Sequence, residues 1–290
     1  MNLSTPVEIE PLPLRLGFDS RLMFVGSCFA DSIGEIMREA GFDAAVNPFG
    51  VVYNPVSVAN SFERMRSRQP FGPADVVECD GLCTSFYHHS RFSRPTAEEF
   101  LSSANASLEE AADAFDAASV CVVTLGTTRV FRHIARDMVV SNCHKINPRE
   151  FSQEMLSLEQ CVQQLERAVA AAPDKRWIFT VSPIRYLSFG AHCNQICKST
   201  LLLAVDEVLR RHPSAVYFPA YEIMMDELRD YRFYDEDMAH PSHLARELIF
   251  ERFCRFAVDP GCYEEMRLHR KRAKAAQHRK FQFGNHSANE

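Results

Sequence analysis

No apolar run in this 290-residue chain reaches the ~18 residues that a membrane helix needs. The N-terminal segment lacks the basic-then-apolar layout of a secretory signal and carries Glu8, Glu10 and scattered prolines instead. These two absences predict a protein without a transmembrane span, located in the cytoplasm. Cys-x2-Cys pairs are missing as well. Of the ten cysteines, Cys79/Cys83 and Cys193/Cys197 stand four apart, and no His-x3-His pair completes a zinc site. Cys121, Cys161 and Cys254 fall inside apolar periodic segments, where a free thiol behaves as a small hydrophobe. Neither a disulfide framework nor a metal centre is expected. There is no internal repeat and no low-complexity linker, so a single domain over residues 1–258 is the simplest organisation. The single tryptophan, Trp177, reads as core.

Charge is present but uneven. The net charge of −6 divides into +4 over residues 261–290 and −10 over the rest. Residues 259–290 therefore read as a basic tail, helical or disordered, set apart from an acidic body. Nothing else points to nucleic acid. A composition of 46% hydrophobic and 24% charged residues is ordinary for a globular protein with a sizeable core.

Strand and helix signals alternate. The run Leu22-Met23-Phe24-Val25 predicts a buried strand, and Ile33, Ile36, Met37 and Ala40 share one helical face after it. Phe42–Val46 offers a second strand. Asn54-Pro55 predicts an N-cap with proline at the first helical position and a helix to about Met65. Residues 67–95 read as a long irregular insertion and a candidate lid. Thr96-x-x-Glu99 opens a helix to about Ala117, and Ser157-x-x-Gln160 opens another. Val120–Leu125 and Trp177–Val181 read as strands buried on both faces. Residues 130–134 and 138–141 suggest a hairpin. Helices are expected over 195–212, over 222–232 and from Pro241-Ser242 to about Phe256, with a strand over 215–219. Buried strands separated by helices predict a single-domain, three-layer α/β/α fold around a parallel sheet.

Chemistry concentrates at the first strand-to-helix turn, Gly26-Ser27-Cys28. Open α/β sheets bind ligands outside the carboxyl ends of their strands, and backbone N–H groups at a helix N-terminus face an attached nucleophile. Cys28 is therefore the candidate nucleophile, against the alternative of a thiol packed under the first turn. Asp237 and His240, three apart in a loop before the last helix, can supply a base and the carboxylate that orients it.

Together these residues carry a resemblance. The chain resembles the GSCFA family, named for the string Gly26-Ser27-Cys28-Phe29-Ala30. Further matching strings are Asn47-Pro48-Phe49-Gly50, Tyr53-Asn54-Pro55, Thr124-Leu125-Gly126-Thr127, Asn142-Cys143-His144-Lys145, Thr180-Val181-Ser182-Pro183-Ile184-Arg185 and the long Tyr221–Tyr234 segment leading into Asp237 and His240. They span about residues 8–256. The family in turn is similar to SGNH hydrolases, flavodoxin-like esterases and acyltransferases that often act on carbohydrate O-acetyl groups. That resemblance implies a catalytic set of Cys28, Asp237 and His240, with Cys28 in place of serine and Ser27 in place of aspartate. It implies oxyanion or substrate contacts from Ser27, the Gly50 amide, Thr127 and Asn142, with Thr128 as a further donor, because the expected Gly-x-Asn-Asp block reads Gly126-Thr127-Thr128-Arg129 here. The expected activity is hydrolysis or transfer of a small acyl group from an ester or thioester, with water or a carbohydrate hydroxyl as acceptor. No cofactor is required, and acyl-CoA enters as an alternative donor substrate. The alternative function is a non-catalytic module that binds a glycan or a partner protein.

Lesser candidates are the aromatic and histidine cluster Phe86-Tyr87-His88-His89 with Arg91 and Phe92, the cations His144, Lys145 and Arg185 as anion contacts, and His240-x-x-His243 as a metal pair with no third ligand evident.

Overall fold

The structure, a computed structural model, describes residues 5–284. β1 (Arg21–Gly26) leads into α1 (Cys28–Glu39), β2 (Asp43–Val46) and α2 (Pro55–Ser67). A small hairpin of β3 (Val76–Cys79) and β4 (Leu82–Ser85) precedes α3 (Ala97–Ala117) and β5 (Val120–Leu125). β6 (Arg129–His133), β7 (Met138–Val140) and β8 (Phe151–Met155) follow, then α4 (Leu158–Ala170) and β9 (Arg176–Val181). The chain closes with α5 (Ala191–Arg211), β10 (Ala215–Tyr217), the single turn α6 (Ala220–Glu222), α7 (His243–Ala257) and α8 (Tyr263–Gly284).

The central sheet is parallel, with strand order β2-β1-β5-β9-β10. This is the flavodoxin-like arrangement, and its switch point lies between β1 and β5. The period-2 pattern of each strand divides the core between two faces. Leu22, Phe24, Val120, Val122 and Ile178 join α1 and α7 on one side. Met23, Val25, Cys121, Val123, Trp177 and Phe179 join α2 to α5 on the other. At the end of β1, Gly26 has φ of +149°, and a Cβ there would lie 2.2 Å from the Thr124 carbonyl oxygen of β5. Only glycine lets the two strands approach so closely at the switch point.

The helix-start signals are realised. Asn54 Oδ1 accepts from the Ser57 amide at 2.9 Å, Thr96 caps α3 through the Glu99 amide, and Ser157 and Gln160 form a reciprocal capping box. Three expectations are corrected. The segment 67–95 is not irregular throughout, because β3 and β4 pair across the turn at Asp80-Gly81. The suspected hairpin has a third strand, β8, paired antiparallel to β6. The helix expected over 222–232 ends at Leu228, passing through a wider π turn over Ile223–Glu227.

The basic tail is docked rather than separate. Its helix α8 buries Met266 in the α1/α7 core, and Arg270 pairs with Glu247 of α7 at 2.6 Å. Residues 285–290 of that tail lie outside the described residues. No helix among the described residues is long and apolar enough to cross a membrane.

Candidate active site

The carboxyl ends of β1, β5 and β9 open into one cavity of about 780 Å³, lined among others by Ser27, Cys28, Tyr53, Gly126, Thr127, Asn142, Ser182, Asp237 and His240. The fold thus gathers onto one wall or another of a single cavity residues that are far apart in the chain.

Ser27 is the N-cap of α1. It is buried, and its Oγ accepts from the Phe29 amide at 3.3 Å. Cys28 is consequently the first helical residue, half-buried, with its own amide among the first-turn N–H groups that have no partner within the helix. Its sulfur lies 3.4 Å from Tyr53 Oη. The Tyr53 side chain is 40% exposed overall, but desolvation of its phenol end at the cavity wall, and then the neighbouring thiol, push it above its ordinary pKa. It therefore stays protonated, and beside a thiolate or an oxyanion it acts as a donor.

Tyr53 arrives there because residues 47–54 thread the switch point. The Val52 amide donates to Gly26 O at 2.9 Å, and the Gly126 and Thr127 amides donate to Tyr53 O at 2.8 and 3.0 Å. Asn47, fully buried, fastens the start of this segment: its Oδ1 accepts from the Gly26 amide at 2.7 Å.

Asp237 and His240 form a coupled pair on the loop before α7. Asp237 Oδ2 accepts from His240 Nδ1 at 2.5 Å, while Oδ1 accepts from the amides of Ala239 and His240, each at 2.9 Å. Those two amides, and then the imidazole, hold the Asp237 carboxyl down to about 2. The turn between them needs a positive φ at Met238. Arg185 braces it: its amide donates to Ala239 O at 3.0 Å, its guanidinium donates to Met238 O, and the same group lies 4.3 Å over the Tyr234 ring. The ring of His240 is thus fixed with Nδ1–H toward Asp237, leaving Nε2 as the base. The sulfur's hydrogen bond runs to Tyr53 and not to His240. The thiol and the Asp237–His240 pair share the cavity without touching.

The candidate oxyanion donors separate in the structure. Gly50 does not serve: it lies outside the cavity lining, its amide donates to Asn47 O at 2.8 Å, and its α-carbon packs against His89. The Thr127 amide is committed to Tyr53 O, its Oγ1 accepts from the Arg129 amide at 3.1 Å, and its hydroxyl interacts with the Cys197 thiol. Thr128 is fully buried and absent from the lining. Asn142 lines the cavity with its Oδ1 accepting from the His144 amide at 2.8 Å, so its NH2 is the free end. Asn54, expected from its sequence only as a helix cap, also lines the cavity: its oxygen caps α2, which leaves its NH2 as the uncommitted end.

Of the lesser candidates, His88 is buried inside a ring of Phe49, Phe71, Phe92 and Phe100. Burial first, then Arg64 and His144, pushes it down to about 3, so it is a neutral core residue bonded to Ser85 Oγ at 2.7 Å. His89 does line the cavity, whereas Arg91 reaches back to Asn47 O. Lys145 pairs with Asp80 outside the lining, and His144, which is inside it, donates to Ser85 O at 2.8 Å. Among the described residues no three His, Cys, Asp or Glu side chains converge as a metal site. All ten cysteines are free.

A residue that sequence reading passed over lies under the cavity floor. Lys198 of α5 is 1% exposed, and its Nζ donates to Gly126 O and Ser182 O, both at 2.8 Å. It ties the end of β5 to the end of β9, and burial pushes its amine down to about 7.

Over residues 21–253 the sequence matches the GSCFA family. The chain belongs to that family. A search of curated proteins found no match. The matched region runs from the first residue of β1 into α7, so it holds Cys28, Tyr53, Asp237 and His240 but excludes α8.

Removing the Tyr53 hydroxyl tests its part in the site. A hydrogen bond to a charged group is worth ~1.5–3 kcal/mol, so Tyr53→Phe is expected to slow iodoacetamide labelling of Cys28 by roughly ten- to a hundredfold, read by peptide mass spectrometry. Unchanged labelling would mean that the phenol does not support the thiolate.

Proposed function

We propose that this GSCFA protein is a cysteine-dependent acyl hydrolase or acyltransferase acting on small acyl esters or thioesters. The observation that carries the reading is the shared cavity: a cysteine at the first position of α1 and an aspartate-oriented histidine line the same space at the carboxyl edge of the sheet. In the first step His240 Nε2 takes the Cys28 thiol proton and the sulfur attacks the acyl carbonyl carbon. The carbonyl π pair moves to oxygen, where the Cys28 amide, Tyr53 Oη and the Asn142 or Asn54 amide group are the available donors. The intermediate collapses, the bond to the alcohol or thiol leaving group breaks, and His240 returns the proton to it. A thioester on Cys28 results. In the second step water or a carbohydrate hydroxyl gives its proton to His240 and attacks that thioester, restoring the thiol. Substrate binding has to bring Cys28 within reach of His240, as catalytic hydrogen bonds often tighten only in the complex.

The rival reading is a glycan- or partner-binding module with an inert Cys28. It is favoured by the Cys28–Tyr53 contact, which occupies the sulfur without involving His240. Mass spectrometry after brief incubation with acetyl-CoA, and separately with p-nitrophenyl acetate, decides between the two. The enzyme reading expects a single acetyl group on Cys28 that is absent in Cys28→Ala. No adduct from either donor, with alkylation of Cys28 no faster than that of the other exposed thiols, would sink it.

A further inference from the structure

Among the cavity's arginines and carboxylates, one has no task in the acyl-transfer chemistry or in bracing its residues. Arg129 opens β6 directly after Gly126-Thr127-Thr128 and lines the cavity. Its guanidinium lies 3.8 Å over the Phe189 ring, donates through Nη2 to Gln153 Oε1 at 3.1 Å, and meets Cys193 Sγ at 3.5 Å. None of these partners is a carboxylate, and Nε is buried with no hydrogen-bond partner. Arg132, Arg167 and Arg270 pair with Glu154, Glu63 and Glu247, and Arg64, Arg136 and Arg185 donate to backbone carbonyls, whereas Arg129 has neither a carboxylate nor a backbone carbonyl partner.

The surroundings make the charge harder to account for. Cys193 belongs to the first turn of α5, whose N-cap Gly190 has no side chain to satisfy that turn. A guanidinium beside the positive end of a 21-residue helix is an unfavourable juxtaposition, and a bound anion would offset both. The cavity offers no internal anion for the purpose. Among the described residues its only lining carboxylate is Asp237, whose oxygens are taken by His240 and Ala239, and its second arginine is Arg185. A protein of net charge −6 thus carries a cationic concavity, and such clefts concentrate oppositely charged ligands. The cavity of about 780 Å³ is also far larger than an acetyl ester fills.

We propose that Arg129 binds a phosphoryl group of the substrate. This rests on the acyl-transfer reading of the same cavity. The phosphate belongs either to the acyl donor, as in a CoA-type thioester, or to the acceptor, as in a phosphorylated sugar. Arg129's planar fork suits two phosphate oxygens, and the Phe189 face and Gln153 hold it at a fixed angle.

Isothermal titration with CoA, pantetheine, glucose 1-phosphate and glucose tests this on wild type, Arg129→Gln and Arg129→Lys, each first checked for unchanged thermal melting. Arg129→Gln is expected to weaken one phosphorylated probe by roughly ten- to a hundredfold, Arg129→Lys less so, and neither variant should change binding of its phosphate-free counterpart. Preference for CoA over pantetheine assigns the phosphate to the donor; preference for glucose 1-phosphate over glucose assigns it to the acceptor. Equal binding of all four probes by wild type and Arg129→Gln would overturn the proposal, as would a wild type that prefers neither phosphorylated probe. Cys28 acetylation by S-acetyl-N-acetylcysteamine, which carries no phosphate, separates the two readings. Acetylation with no Arg129 effect overturns the anion site and keeps the nucleophile. An Arg129-dependent preference without acetylation by any donor keeps the anion site and overturns the nucleophile.

Discussion

Asp237→Asn should lower turnover of an acyl substrate by about three to four orders of magnitude while leaving the fold intact. The carboxylate does two things at once. Oδ1 receives two backbone N–H groups, and Oδ2 receives the imidazole Nδ1–H. An asparagine can satisfy only one of these sides with its oxygen. If the oxygen faces the amides, the NH2 confronts Nδ1, so the neutral ring carries its proton on Nε2 and that nitrogen is no longer a base. The other orientation sets NH2 against two N–H donors and loosens the turn that presents His240. The pH profile gives an independent check. Because the folded-state carboxyl sits at about 2, below its ordinary 3.8, the stabilising contribution of Asp237 is complete above pH ~4 and is lost only as pH falls through ~2. An acid limb of activity at higher pH therefore belongs to other groups. Steady-state rates with p-nitrophenyl acetate and circular dichroism of the same samples are the measurements. A loss of less than tenfold would remove Asp237 from the mechanism.

Gly26→Ala is expected to be the most damaging single methyl group that can be added near the site. The new Cβ would stand 2.2 Å from Thr124 O and 2.8 Å from Thr124 N, backbone atoms of the neighbouring strand that cannot swing aside. It would also demand a φ near +149° from an L residue. Strand separation would follow, and with it loss of the Asn47 Oδ1 bond and the Val52 bond that seat Tyr53 beside Cys28. A cost of about 4 kcal/mol or more, lowering Tm by roughly 10 °C in a domain of this size, is the expected scale. Thermal melting reads it directly. A melting point within a degree or two of wild type would show that β1 and β5 can part cheaply.

The two halves of the proposed machinery differ in how visible they are in the sequence. Cys28 stands out because a buried apolar run breaks at Gly26-Ser27 and a one-faced helical pattern starts at once. Only a strand-to-helix turn produces that switch of period. Asp237 and His240 stand out because a loop that carries both precedes a capped helix. Tyr53 falls in a family string and Arg129 in the Gly126–Arg129 block, but neither position reveals the part its side chain takes in the cavity. Tyr53 owes its place to backbone bonds from Gly26 and Gly126, which no local pattern encodes, and Arg129 owes its isolation to the lack of a carboxylate nearby in space. Gly50 was expected to be an oxyanion donor by position, and the turn back to Asn47 takes its amide. β8 escaped notice because Ser152, Gln153 and Glu154 make it too polar for a buried strand, although it pairs with β6 at the rim. The helix expected beyond Leu228 looked continuous because Tyr231 and Tyr234 repeat at helical spacing, whereas the chain has already left the helix through its π turn.

Segments before β1 and at the end of α7 are clasped together. Leu16 bridges to Val258, its amide donating to Ala257 O, the Leu12 amide donates to Phe256 O, and Arg252 donates to Val7 O. Residues flanking the family-matched region on both sides thus close the α1/α7 core. On a ribosome the chain emerges at ~5–20 residues per second, N-terminal end first. The α2–α5 face can assemble once β9 and α5 are out, but the opposite face of the sheet waits for α7 and α8. Through that interval the α1 and β1 side chains Leu22, Phe24, Ile33 and Met37 lack the cover that α7 gives them, and the loop bearing Asp237 and His240 has Arg185 as its brace but not yet the helix it leads into. Completion of the last helices therefore buries the second core, and a nascent chain carries Cys28 and Tyr53 well before it carries Asp237 and His240.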